Sequence, residues 1–352
     1  MIQTIPGGSD LFSDFPVCDV GEVEMKKTLI TGATGQIGSE LTPVLRRKLG
    51  NENVIAVGHK REPDEEILKS GPYYALDIRD RQALLDLVAK NGVDTVFHLA
   101  SLLSATAEAK PQLAWNINMN GLTNILEVSR QYHCAVFFPS SIAVFGLSTP
   151  PENTPQDTIQ HPNTMYGITK VSGELLCDYY HHRFGVDTRG VRFPGLISHK
   201  VKPGGGTTDY AVHIFYAALS NSQFTCYLKP ETKLDMMYMP DAVTAAVKIM
   251  ESDINRLIHR NGYNITAMSF TPAQLAEEIK KHIPEFAISY SIDPVRQAIA
   301  ESWPRHMDDS AARAEWQWIP KYDLPTMVKE MLDKLSVRIK ADEEQGSCHY
   351  KK

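Results

Sequence analysis

Thr28-Leu-Ile-Thr-Gly-Ala-Thr-Gly-Gln-Ile-Gly38 decides the fold. A short apolar run, Thr28 to Thr31, stops at a glycine-rich turn. An amphipathic helical pattern follows, with Ile37, Leu41, Val44, Leu45 and Leu49 on one face. Strand, glycine turn and helix in that order are the context in which a GxxGxxG run binds a dinucleotide. Gly32 permits the tight turn, Gly35 lets a pyrophosphate approach the backbone, and Gly38 lets the helix pack close to the strand. The helix N-terminus adds amide donors and positive potential. An acid is expected about 20 residues on, at the end of the second strand, to hold the adenosine ribose diol. The chain reads Val57-Gly-His-Lys-Arg61 there, without a carboxylate. Lys60 and Arg61 are either receivers of a 2′-phosphate, which favours NADP, or solvated loop charges, so spacing leaves NAD against NADP open. Asp77, ending the third strand beside Ile78, is either a partner for the adenine amine or a simple turn acid.

The rhythm extends in both directions from this turn. Val54 to Val57 and Tyr73 to Leu76 read as strands. Asp80 is a cap for a helix running to Lys90. Val93 to Ala100 and Ala135 to Ser140 are further strands around a helix from about Leu113 to Tyr132. A helix from about Tyr166 to His182 precedes a strand from Thr188 to Phe193. The pattern predicts an α/β fold, a doubly wound parallel sheet with helices on both faces, and ligands at the carboxyl ends of its strands. After Phe193 the alternation breaks. Residues 26–195 are expected to form the dinucleotide-binding domain, with 233–252 returning to it. A smaller mixed α/β substrate domain is expected from 196–232 and 253–335, with an N-terminal arm at 1–25 and a polar tail at 336–352.

Tyr166-Gly-Ile-Thr-Lys170 puts a phenol and an ammonium one helical turn apart on one face. A phenol with a reference pKa near 10 is a poor base at neutral pH. A nearby cation, joined by the charge of an oxidised nicotinamide, favours phenolate, so Lys170 is expected to lower the Tyr166 pKa. Ser141 closes the strand Phe137-Phe-Pro-Ser-Ser141 and would stand at the sheet's carboxyl edge, where its hydroxyl can hold the reacting oxygen. Ser140 competes for that role. Asn118 either orients Lys170 or the nicotinamide ribose, or makes an ordinary helix hydrogen bond.

The composition agrees with an enzyme of this kind. The 352 residues are 43% hydrophobic and carry a net charge of −6, with no run of five or six basic residues, which argues against a nucleic-acid surface. Five dispersed cysteines without CxxC pairs predict reduced thiols and no metal cluster. No apolar run reaches the roughly 18 residues of a membrane span. The leader is acidic, with no Lys or Arg before Lys26, unlike a transit peptide.

Taken together, GxxGxxG, His98-Leu99-Ala100, Asn118-Met-Asn-Gly121, Ser141 to Gly146 and Tyr166xxxLys170 resemble the extended short-chain dehydrogenase/reductases, over roughly residues 26–240. The resemblance implies a catalytic trio of Ser141, Tyr166 and Lys170. It implies cofactor contacts at Gly32, Gly35, Gln36, Ile37, Gly38, Asp77, Ile78, Leu99, Ala100, Asn118, Tyr166 and Lys170. A narrower likeness is carried by His98 to Ala105, Pro203 to Ala211, Tyr263 to Thr271, Ser302-Trp-Pro304 and Asp308 to Ser310. These are similar to the short-chain L-threonine 3-dehydrogenases, which oxidise L-threonine to 2-amino-3-ketobutyrate with NAD. By that likeness Ser104, Ser141, Tyr166, Thr207, Thr208 and Asp209 would line the substrate pocket, where hydroxyls and loop amides suit a carboxylate. Asp209 would face the ammonium or position the loop, and Trp303 would close the pocket or join the core. It also implies a homodimer through the Leu113 and Tyr166 helices, and a mitochondrial matrix location, with the cytoplasm as the alternative given the acidic leader. Family members usually carry an acid where Gly58 stands. The rival expectations are a nucleotide-sugar epimerase, with Lys202 and Arg313 available for a diphosphate, and a cofactor-sensing binding protein.

Overall fold

The computed structural model describes residues 25–344; the leader up to residue 24 and the last eight residues lie outside these. The chain begins with β1 (Thr28–Thr31), α1 (Gln36–Leu49), β2 (Val54–Gly58), α2 (Glu65–Lys69), β3 (Tyr73–Ala75) and α3 (Arg81–Asn91). It continues through β4 (Thr95–His98), α4 (Ser104–Ala109), α5 (Pro111–Trp115), α6 (Gly121–Tyr132) and β5 (Ala135–Ser141). Next come α7 (Met165–Phe184), β6 (Thr188–Phe193), β7 (Gly195–Ile197), α8 (Tyr210–Asn221), β8 (Gln223–Cys226), β9 (Leu234–Tyr238) and α9 (Met239–Met250). The last part holds β10 (Tyr263–Asn264), β11 (Met268–Phe270), α10 (Pro272–Lys280), β12 (Ala287–Tyr290), α11 (Pro294–Glu301), α12 (Ser310–Trp316) and α13 (Leu324–Glu344).

Seven strands form one parallel sheet in the order β10-β6-β5-β4-β1-β2-β3. The strands β1, β2 and β4 are buried throughout, as expected where helices cover both faces. Strand order reverses between β1 and β4, and the glycine turn leaves β1 at that crevice. The Asp80 cap is present: its carboxylate accepts from Ala83 N at 3.0 Å. Between α5 and α6 the helix runs on through one π turn over Asn116–Asn120.

Three features of the second half differ from the sequence expectation. Strand β9 does not enter the large sheet; it lies between β7 and β11 in a separate three-stranded sheet. Its following helix, α9, packs on the large sheet, through Val243, Ala246 and Met250. Conversely, β10, read as part of the smaller domain, supplies the seventh strand beside β6. The stretch read as a tail from residue 336 continues α13 to Glu344, because Met327, Val328, Met331, Leu332 and Leu335 anchor that helix in the second core.

Candidate active site

The glycine turn is shaped by contacts that no side chain tolerates. Gly32 has φ +71°, and a Cβ on it would lie 2.7 Å from Ala100 N. A Cβ on Gly38 would run into Gly32 O and lie 2.6 Å from Ala33 Cα. Strand end and helix start therefore touch backbone to backbone. Gly35 N donates to Gly32 O at 2.9 Å, closing the turn. Beyond it Gln36 carries a buried amide nitrogen that has no protein partner. A glycine cradle and an unpaired amide donor at a helix N-terminus fit a pyrophosphate. Gly38→Ala is expected to weaken dinucleotide binding by about 10–100-fold in titration calorimetry, because the obstructing atoms are main chain.

From this turn a cleft of about 1150 Å³ runs across the carboxyl ends of the strands, lined by Gly32, Gly35, Gln36, Ile37, Gly38, Leu99, Ser141, Tyr166 and Lys170. Ser104, Thr207, Thr208, Asp209 and Trp303 line its far end. Ala100, Asp77, Ile78 and Asn118 are not on its walls. Ala100 backs the glycine turn. Asp77 is gripped by Arg79, whose hydrogen bonds hold its carboxyl down at about 2. Ile78 is buried, with its carbonyl accepting from Asn124 at 3.1 Å. Asn118 does not reach Lys170. It exchanges hydrogen bonds with the Leu102 backbone at 2.8 and 3.2 Å and donates to Thr169 Oγ1 at 3.1 Å, tying the β4 loop to α7. His98, at the end of β4, is bonded to Thr31 Oγ1 at 2.9 Å; burial, then the Lys170 charge, drives its pKa down to about 3.

The choice between the two serines is decided by burial. Ser140 points back to Glu174, whose carboxylate also takes the Arg192 guanidinium at 2.9 Å and Gln160 at 2.7 Å. Ser141 is the serine that acts on the Tyr166 phenol, drawing its pKa down. Its Oγ also accepts from Ala143 N at 3.2 Å, which fixes its orientation.

Lys170 is anchored on the main chain. Its Nζ donates to Pro139 O at 2.7 Å and lies 5.5 Å from the Tyr166 ring centre. Burial pushes the Tyr166 phenol up to about 12, opposed by Ser141. Burial likewise brings Lys170 down to about 8. Desolvation disfavours whichever form is charged, so both groups move towards neutrality.

In the far end, Asp209 Oδ2 accepts from Gly205 N at 2.9 Å and Gly206 N at 2.7 Å. Those amides are thereby consumed, so Asp209 positions the loop and the amides do not face the cleft as free donors. Thr207, 1% exposed, has a hydroxyl with no protein partner. Gly205 O accepts from Ala105 N at 3.1 Å, which ties this loop to α4. Trp303 does both things expected of it, lining the cleft and joining the core. Sequence reading missed Glu174, although it lies one turn after Lys170 on the same helix. It also missed the apolar wall of Leu103 and Leu196.

The NAD dependent epimerase/dehydratase family model matches residues 28–265. An uncharacterized epimerase/dehydratase of Staphylococcus haemolyticus is 53% identical over 88% of this chain and 97% of its own. The L-threonine dehydrogenase from Clostridium difficile is 57% identical, with a TM-score of 0.88 over 90% of this chain and 99% of that one. The holo form of a GalE-like L-threonine dehydrogenase from Cupriavidus necator is 49% identical, with a TM-score of 0.85 over 88% of this chain and 99% of that one. The cofactor that this fold and cradle serve is NAD.

Proposed function

Because the chain belongs to the NAD dependent epimerase/dehydratase family, we propose that it oxidises L-threonine at carbon 3 to 2-amino-3-ketobutyrate. The observation that carries this reading is the far wall of the cleft. Thr207 offers a buried, unpaired hydroxyl in the cleft that Ser141 and Tyr166 line, and Ser104 and Thr208 line it too. Small hydroxyl-lined walls suit a short amino acid. The solved L-threonine dehydrogenases that match nearly the whole chain support the same substrate.

In this reading Ser141 donates to the substrate oxygen, and Tyr166 takes the hydroxyl proton as that oxygen becomes a carbonyl. NAD, when bound, supplies one positive charge and the acceptor for the hydride leaving carbon 3. Lys170 contributes a fixed cation, anchored on Pro139 O, to the field around the phenol. Leu103, Leu196 and Trp303 keep water from the reacting carbon.

A nucleotide-sugar epimerase needs cations for a diphosphate in the substrate half. Of the two basic residues available from sequence, Arg313 is spent on Asp309 at 2.7 Å and Lys202 leans over the Tyr216 ring; neither lines the cleft. NADH absorbance is expected to grow with L-threonine and to stay flat with UDP-sugars. L-serine and 3-hydroxybutyrate, each lacking one feature of threonine, are expected to react at least about tenfold more slowly. Rapid turnover of a UDP-sugar with threonine inert would reject the reading.

A homodimer through α5–α6 and α7 remains part of the proposal, supported by Leu113, Trp115, Ile168 and Leu175, which are exposed on those helices. Among the described residues no helix is long and apolar enough to cross a membrane. The relatives from Staphylococcus haemolyticus and Staphylococcus aureus are bacterial, which favours the cytoplasmic alternative over the mitochondrial matrix.

A further inference from the structure

The end of β2 is where the fold places an acid against the adenosine ribose, and here it is built differently. Gly58 is its last residue, and a Cβ on it would meet the Tyr73 hydroxyl and lie 3.0 Å from Thr34 Cγ2. The phenol oxygen of Tyr73 thus stands from that Cβ at about the distance an aspartate oxygen has from its own. Tyr73 is pinned there. Its ring packs against the cluster under α1, and the buried Arg46 guanidinium donates to the carbonyl of the preceding Pro72 at 2.7 Å. Burial alone shifts the phenol, and no described residue hydrogen-bonds it. The residue as a whole is half-buried.

Basic residues come first after the strand, and acids follow them from Glu62 onward. His59, Lys60 and Arg61 follow Gly58 and are exposed, and Arg61 lines the cleft. The carboxylate of Asp77 lies 3.8 Å from His59 and is paired with Arg79 at 2.5 Å. An aspartate at the end of β2 excludes a 2′-phosphate by repulsion and by taking both ribose hydroxyls. A neutral phenol does neither.

We propose that Tyr73, replacing the missing acid at Gly58, lets this chain bind NADP as well as NAD, with Arg61 meeting the 2′-phosphate. The Tyr73 hydroxyl donates to the ribose 2′-oxygen in NAD and to a phosphate oxygen in NADP. This rests on the cleft being a dinucleotide site and holds whatever the substrate is.

Titration calorimetry of the full chain with NAD and with NADP, without any amino acid, tests it. The account expects the two Kd values within about tenfold of each other; one charge-assisted contact on the phosphate offsets its lost hydration. Arg61→Ala is expected to shift the NADP-to-NAD Kd ratio about tenfold towards NAD. Gly58→Asp combined with Tyr73→Ala, which gives the carboxylate room, should shift it further in the same direction. Tyr73→Phe keeps the ring, should fold as the parent does, and should weaken both dinucleotides. NADP binding more than tenfold weaker than NAD in the parent, or a ratio that Arg61→Ala leaves unmoved, overturns the proposal while the dinucleotide reading stands. Binding of neither dinucleotide overturns both.

Discussion

Tyr166→Phe is expected to lower kcat for L-threonine oxidation by about 10²–10⁴-fold, the usual contribution of a positioned proton acceptor. The ring fills the same space, so NAD should still bind. The predicted loss belongs to the hydroxyl, not to packing. A direction in pH follows from the same site. Burial holds the Tyr166 phenol near 12, so almost all of it is protonated at neutrality. The form that accepts a proton grows about tenfold per pH unit below that value. Oxidation should therefore speed up from neutral towards alkaline pH, and the reverse reduction, which consumes the protonated phenol, should slow. Lys170, with a pKa near 8, loses its charge on the way up and flattens the rise. Kinetics across that range check both statements. A Tyr166→Phe enzyme that binds NAD and turns over threonine at close to the parent rate would remove the phenol from the mechanism.

Glu174→Ala should destabilise the fold by about 3–5 kcal/mol, the cost of stranding a buried cation. Glu174 and Arg192 are nearly excluded from solvent and paired at 2.9 Å. The same carboxylate takes Ser140 and Gln160, while Arg192 also reaches Asn264 Oδ1 at 3.1 Å and Gln156 O at 3.0 Å. That network joins β5, β6, β10 and α7 immediately behind Ser141. Removing both charges together, as Glu174→Leu with Arg192→Met, should recover much of the loss, because no unpaired charge then remains. Urea unfolding of Glu174→Leu, Arg192→Met and the double variant gives the coupling. Single variants as stable as the parent would show that the pair is dispensable to the fold.

The nucleotide half of the molecule was legible in the sequence because its signals are local. A strand of four apolar or β-branched residues, three glycines and an amphipathic helix are read within one window, and the structure places them as read. The second half depends on partners distant in sequence. Strand β9 is apolar enough for a central strand, and only its pairing with β7 and β11 shows that it belongs elsewhere. Strand β10 has two residues and no pattern of its own, yet it extends the large sheet.

Within the site, residue types were legible and roles less so. Adjacent serines at 140 and 141 cannot be separated by spacing; alternation along β5 turns one towards Glu174 and the other towards Tyr166. Lys170 is expected to lower the phenol's pKa by its charge; that its ammonium is anchored on the carbonyl of Pro139 could not be read from spacing. Asp209 read as an ammonium partner or a loop brace, and the two amides it accepts favour the brace. Gly58 marked a missing acid; that Tyr73 fills its place depends on a strand neighbour 15 residues away in sequence.

The central claim is that carbon 3 of threonine loses hydrogen in the cleft between Tyr166 and Thr207. L-Threonine deuterated at carbon 3, incubated with the enzyme and NAD, tests this most directly. The account predicts one deuterium in each NADH formed and 2-amino-3-ketobutyrate produced in equal amount, with the rate slowed if bond cleavage limits turnover. Deuterium retained at carbon 3 of the amino acid, with no labelled NADH, would contradict it.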